Sequence, residues 1–191
     1  MATNVRLFAE QTLADGRFRL VRIRAEVEEA DGVRRQLDHE IYRHGPAAAI
    51  FLYDPERRVT LLVKQFRLAA YIGDGSLETL EVCAGMLDGD EPEVCARREA
   101  FEETGVRIAS ARHAFDAFTS PGALTEKLAC FVAPYRAADR VGAGGGVDYD
   151  ERIEVVEVSY AEAEAMIATG AIRDAKTIAL IFYAKATGLF G

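Results

Sequence analysis

The chain has 191 residues, half of them hydrophobic and 28% charged, and a formal net charge of −8. That length fits one domain, or one domain with a small appendage, and the apolar content suffices for a core, which excludes a disordered chain. The acidic balance excludes the basic footprint that a nucleic-acid backbone or an anionic membrane surface demands, and a phosphorylated ligand would need a divalent cation to offset like-charge repulsion.

In chain order, Phe18 to Glu28 alternates apolar and polar residues as a half-buried strand does, Asp31-Gly32 is a turn signal, and Arg34 to Tyr42 alternates again. This predicts an N-terminal hairpin. Ala47 to Tyr53 and Val59 to Phe66 are denser apolar strands separated by a turn at Asp54-Pro55. Leu77 to Cys83 predicts a further strand, and Gly85 to Asp90 a loop. A helix is predicted from about Glu91 to Thr104, with Asp90 as N-cap, Pro92 in the first turn and Gly105 just past the end. Strands follow near His113–Phe118, Leu128–Tyr135 and Ile153–Val158. Gly142 to Glu151 is glycine-rich, then acidic, and predicts a surface loop. Helices near Ala161–Thr169 and Lys176–Thr187 close the chain. Strands, helix, strands, helices in that order predict an α/β fold, a mixed sheet with helices on its faces.

Cys83, Cys95 and Cys130 are odd in number, form no CxxC and sit in apolar segments. They are expected as small core residues in a reducing compartment rather than as disulfides or a zinc site. No h-region follows Met1 and no apolar run is long enough to span a bilayer, so the expected location is the cytoplasm.

The predicted helix carries Arg98, Glu99, Glu102 and Glu103. At about 100° per residue, Glu103 lies about 40° to one side of Glu99 and Glu102 about 60° to the other, so three carboxylates share one face. Val94 and Phe101 are expected on the opposite face, anchoring the helix to the sheet. Like charges at these spacings repel. Arg98 can pair with Glu102 at i,i+4, which leaves Glu99 and Glu103 without an obvious helical partner. Two carboxylates one turn apart suit a hard cation such as Mg²⁺.

Gly85 to Val106 resembles the Nudix box, G-x5-E-x7-R-E-U-x-E-E-x-G-U, through Gly85, Glu91, Arg98, Glu99, Glu102, Glu103, Gly105 and Val106. Six residues, Pro92 to Arg97, separate Glu91 from Arg98, one fewer than in the pattern. In the register set by Arg98, Ala84 and Asp90 replace the first Gly and Glu. The shorter spacing marks the GDP-mannose pyrophosphatase branch of the family. The chain is similar to that branch also at Gln65-Phe66-Arg67, Cys83 to Asp88, Asp90 to Cys95, Ser120-Pro121-Gly122, Thr125-Glu126, Ala143 to Val147, Ile172-Arg173-Asp174 and Lys176-Thr177.

The resemblance implies a Nudix α/β/α sandwich spanning residues 46–191, preceded by an antiparallel β element, residues 1–45, that serves dimerisation and substrate contact. It implies hydrolysis of the pyrophosphate of a nucleotide-sugar, GDP-mannose foremost, with ADP-ribose or a silent nucleotide-sugar sensor as alternatives. Mg²⁺, or alternatively Mn²⁺, is implied as cofactor, held by Glu99, Glu103, the carbonyl of Ala84 and Glu151. The general base is Glu126 or Glu151, and Arg98 orients the box carboxylates. Arg67 and Lys176 are implied as phosphate partners, with Gly85, Met86, Asp150 (the fallback for Glu151), Arg17, Asp38, His39 and Glu40 as further substrate contacts. Pro121, sixteen residues past Gly105, resembles a mark of nucleoside-diphosphate-sugar hydrolases. A homodimer through the N-terminal element is implied as well.

Overall fold

The computed structural model describes residues 1–147 and 152–190. The chain forms two compact units, one of Met1–Pro46 with Phe118–Lys127, the other of Ala47–Ala117 with Leu128–Gly191.

The first unit is a three-stranded antiparallel sheet in the order β1 (Ala2–Asp15), β2 (Arg19–Glu29), β3 (Arg34–Arg43). It is larger than the predicted hairpin by one strand. β1 is exposed along its whole length, so no buried face imposes the alternation by which a strand is recognised. Central β2 buries Val21, Ala25 and Val27. Segment 118–127 is pinned to the end of β3: Tyr42 N–H donates to Ala123 O (2.8 Å) and Thr125 N–H to Tyr42 O (3.2 Å). Within it Ser120 O accepts from Ala123 N–H and Leu124 N–H, so Ser120-Pro121-Gly122 is a turn.

The second unit carries β4 (Ala47–Asp54), β5 (Val59–Gln65), α1 (Leu68–Asp74), β6 (Thr79–Glu81), β7 (Cys83–Met86), α2 (Pro92–Thr104), β8 (Arg112–Phe118), β9 (Lys127–Pro134), β10 (Glu154–Ser159), α3 (Tyr160–Thr169) and α4 (Ala175–Ala186). The sheet runs β10-β5-β4-β9-β8 and is mixed, with β4 parallel to β9 and antiparallel to β5. Residues 47–52 are all buried, as expected for a strand covered on both faces. Their side chains alternate between two cores. Ala47, Ala49 and Phe51 join Leu180, Ile181 and Ala184 of α4, whereas Ala48, Ile50 and Leu52 join Cys95, Ala96 and Ala100 of α2. The result is the expected α/β/α sandwich. No helix among the described residues is long and apolar enough to cross a membrane.

The sheet is forked. β4 pairs with β5 only through residues 52–54, and β5 then leaves it. β6 pairs with β5 (Val63↔Glu81) and β7 with β4 (Ala48↔Gly85), so residues 79–86 fill the opening. The predicted strand Leu77–Cys83 is therefore two short strands divided at Val82, the second running on through Gly85 and Met86, so that the predicted loop begins at Leu87. α1, seven residues with none buried, went unpredicted: Leu68, Tyr71 and Ile72 fall at helical spacing but are exposed.

Candidate active site

The fork and the buried face of α2 build the site. α2 starts at Pro92 with Glu91 as N-cap and no side-chain cap. Asp90, expected as the cap, instead meets Arg98 Nε at 3.2 Å. The guanidinium neutralises a carboxylate more effectively than a helix N–H can. The expected orientation of α2 is also reversed. Val94 is 51% exposed and Phe101 38%, while Glu99 and Glu103 are 8% and 3%. Small residues Cys95, Ala96 and Ala100 pack the helix closely, which brings the carboxylate face onto β4 and β7. Phe101 lies instead under Gly142 and the Arg107 guanidinium.

Gly85 shows why a glycine stands here. A Cβ on it would lie 2.0 Å from Glu99 Oε1. No positive φ requires glycine at this position, so close approach is the reason. Arg98 Nη1 contacts Glu99 Oε1 at 2.7 Å and Glu102 Oε2 at 3.2 Å, and Arg98 Nη2 donates to Met86 O at 3.1 Å. The expected Arg98–Glu102 pair is present, and Glu99 also has Arg98, contrary to the expectation that it lacks a helical partner. Burial pushes the Cys83 thiol well above its ordinary value, and Glu103 and Glu99 add to this. All three cysteines are free and buried.

A glycine-rich loop closes the end of α2. Gly145 N–H donates to Glu103 O (2.9 Å) and Gly146 N–H to Glu102 O (3.1 Å). Those carbonyls lack intrahelical partners, so the loop caps the helix. Asp150 and Glu151, expected just beyond, lie outside the described residues.

Arg67 and Lys176 are brought together by a residue that spacing did not single out. Glu81 accepts from Arg67 Nε (2.9 Å) and Nη2 (3.0 Å), from Lys176 Nζ (2.6 Å) and from Thr79 Oγ1 (2.7 Å). Burial is the largest single effect on Glu81 and would raise its pKa, but Arg67 and Lys176 together overcome it and hold the carboxyl at about 2. The available signal was one carboxylate inside the apolar run Leu80 to Ala84.

In the first unit, Asp38 and Glu40 on β3 pair with Arg24 (3.2 Å) and Arg22 (2.8 Å) across the sheet, and His39 and Arg17 are exposed. Glu126 Oε1 lies 3.0 Å from His44 Nδ1, and Thr125 Oγ1 donates to His44 O at 2.8 Å.

The Glu99 carboxylate lies against the backbone of Gly85, and Glu103, one turn on, is buried on the same helix, hard oxygen donors of the kind a Mg²⁺-type cation takes. Among the described residues no group of three or more His, Cys, Asp or Glu converges. The expected set has only two described side chains, and Glu151 is the third.

A NUDIX domain model matches residues 43–181, and the chain belongs to the Nudix family. It is 42% identical over 192 residues to the GDP-mannose pyrophosphatase of Cronobacter sakazakii, covering 99% of each chain. It is 40% identical over 190 residues to the GDP-mannose pyrophosphatase of Escherichia coli, again covering 99% of each. A solved structure described as an ADP compounds hydrolase shares the fold, with a TM-score of 0.73 at 19% identity over 97% of this chain and 95% of that one.

Proposed function

We propose that the protein hydrolyses the pyrophosphate bond of GDP-mannose to GMP and mannose 1-phosphate. One observation carries the substrate: end-to-end similarity, at 40–42% identity, to enzymes named for that reaction. The reaction class is supported by the buried Glu99–Glu103 face against Gly85.

A pyrophosphate resists attack because its oxygens repel nucleophiles and its leaving group is anionic. Glu99, Glu103, the Ala84 carbonyl and Glu151 (or Asp150) would hold Mg²⁺ or Mn²⁺, which when bound neutralises charge developing on the phosphates. Arg98 orients the box carboxylates through its bonds to Glu99 and Glu102. Arg67 offers a forked contact and Lys176 a point charge to phosphate oxygens. Glu126 or Glu151 takes the proton of the attacking water. Gly85 and Met86 line the diphosphate, and Arg17, Asp38, His39 and Glu40 contact the remainder of the substrate. The working form is a homodimer through the unit containing β1–β3, in the cytoplasm.

The test is incubation with Mg²⁺ and a panel of GDP-sugars, ADP-ribose and ADP-sugars, with the nucleotide products resolved by chromatography. GMP from GDP-mannose is expected. Cleavage of ADP-ribose alone would replace the substrate. Binding with no cleavage of anything would make the chain a sensor.

A further inference from the structure

Glu81 lies deeper than the two cations it binds. It is 4% exposed, and the side chains of Lys176 and Arg67 are 16% and 44% exposed. A carboxylate has about four acceptor sites. Arg67 Nε, Arg67 Nη2, Lys176 Nζ and Thr79 Oγ1 fill all of them at 2.6–3.0 Å. Nothing remains with which Glu81 could ligate a cation or abstract a proton.

The three residues come from distant parts of the chain. Arg67 follows the end of β5, Glu81 ends β6 inside the fork, and Lys176 stands in the first turn of α4. α4 is itself fixed to the fork, because Thr177 Oγ1 accepts from Val82 N–H at 2.8 Å and donates to Asp174 at 2.6 Å. Lys176 Nζ also meets Asp174 Oδ2 at 3.0 Å, but Arg67 and Lys176 are like charges on flexible stems and would separate without the carboxylate that both bind. Glu81 holds them to one point, and the fork binds only two of the five guanidinium N–H groups.

We infer that Glu81 is a positioning residue for the reaction: it touches no substrate atom and sets where Arg67 and Lys176 meet the diphosphate. This rests on the reading of those two cations as phosphate partners. Preorganised cations act on charge that develops in the reaction without having to be rearranged at that moment, so loosening them costs turnover.

The experiment is a double-mutant cycle on GDP-mannose hydrolysis with Mg²⁺, using Glu81→Gln, Arg67→Gln and the double variant. Each single substitution is expected to lower kcat/KM at least tenfold, largely in kcat for Glu81→Gln. The double variant should fall no more than about threefold below the worse single, because both act through one contact. Multiplied losses would mean that Glu81 acts independently, as a merely structural residue does, and would overturn the inference. A loss in Arg67→Gln with none in Glu81→Gln overturns the inference and leaves the functional reading standing. No loss in Arg67→Gln defeats the functional reading of Arg67 itself, and the inference with it. Glu81→Asp covers a failure of the glutamine variant to fold. It keeps the charge and withdraws it by one methylene, so a tenfold loss at an unchanged melting temperature supports positioning, and wild-type kcat/KM overturns it.

Discussion

At the scale of single residues the site depends on how closely backbone and carboxylate approach. In Gly85→Ala the new methyl would lie 2.0 Å from Glu99 Oε1. β7 accommodates alanine's backbone, so the carboxylate moves. The expected outcome is a loss of about 100-fold in kcat/KM, as for a catalytic group displaced by an ångström, with about 1–3 kcal/mol of stability lost to overpacking. Steady-state kinetics and urea unfolding measure the two separately, and near-wild-type turnover would refute the need for that close approach. Glu103→Gln keeps the shape and removes the charge. It should abolish turnover with the fold intact. Millimolar Mg²⁺ should raise the melting temperature of the wild type, because a ligand of the folded state stabilises it, and should leave Glu103→Gln unmoved. Equal shifts in the two proteins would place the cation elsewhere.

At the scale of elements the end of α2 and the loop that caps it behave as one piece. Gly144 has φ +71° and a Cβ there would meet Glu103 O at 2.5 Å. Gly144→Ala therefore suffers both left-handed strain and a clash, about 2–4 kcal/mol in all. Gly32 in the β2–β3 turn has φ +81° and nothing near its Cβ, so Gly32→Ala should cost only about 1 kcal/mol. Urea unfolding of the two variants checks the ranking, and equal losses would mean that the contact with α2 carries no weight. The elements also show which features the sequence made legible. β4, β5 and β9 were readable because burial imposes apolar runs, and α2 was readable through its motif and Gly105. β1 buries nothing and so keeps no strict alternation, and α1, two turns long, is too short for Leu68, Tyr71 and Ile72 to stand out as a periodic stripe. The face of α2 was misjudged because Val94 and Phe101 are its large apolar residues. Small Cys95, Ala96 and Ala100 decide the packing instead, since a helix that brings its carboxylate face onto β4 and β7 must come close. The spacing of Arg98, Glu99 and Glu103 exposed the carboxylate face of α2. Glu81 stayed hidden, because a meeting of residues 67, 81 and 176 exists only once the sheet has forked.

At the scale of the whole molecule the response to acid depends on which carboxylates are ionised more easily in the folded state. Glu29 and Asp74 are held below their ordinary range, Glu29 by Arg35 and Asp74 by Ser76 and Arg173. Both pairs face water, and salt screens such contributions. Glu81 differs, because its side chain is only 5% exposed and its pKa falls from the ordinary 4.5 to about 2. The sign follows from proton uptake. Between these two values the unfolded chain binds a proton that the folded chain refuses, so lowering the pH favours unfolding. The contribution is complete above about pH 4.5 and disappears as the pH falls towards 2. At about 1.4 kcal/mol per pKa unit it is on the order of 3 kcal/mol. Urea unfolding of the wild type between pH 7 and pH 3 should show this decline, and it should persist in 1 M salt, where the surface pairs no longer contribute. Glu81→Gln has no group to titrate there, so its stability should depend less steeply on pH over the same interval. Parallel curves for the two proteins would show that Glu81 titrates alike in both states, and that its four bonds do not hold it ionised.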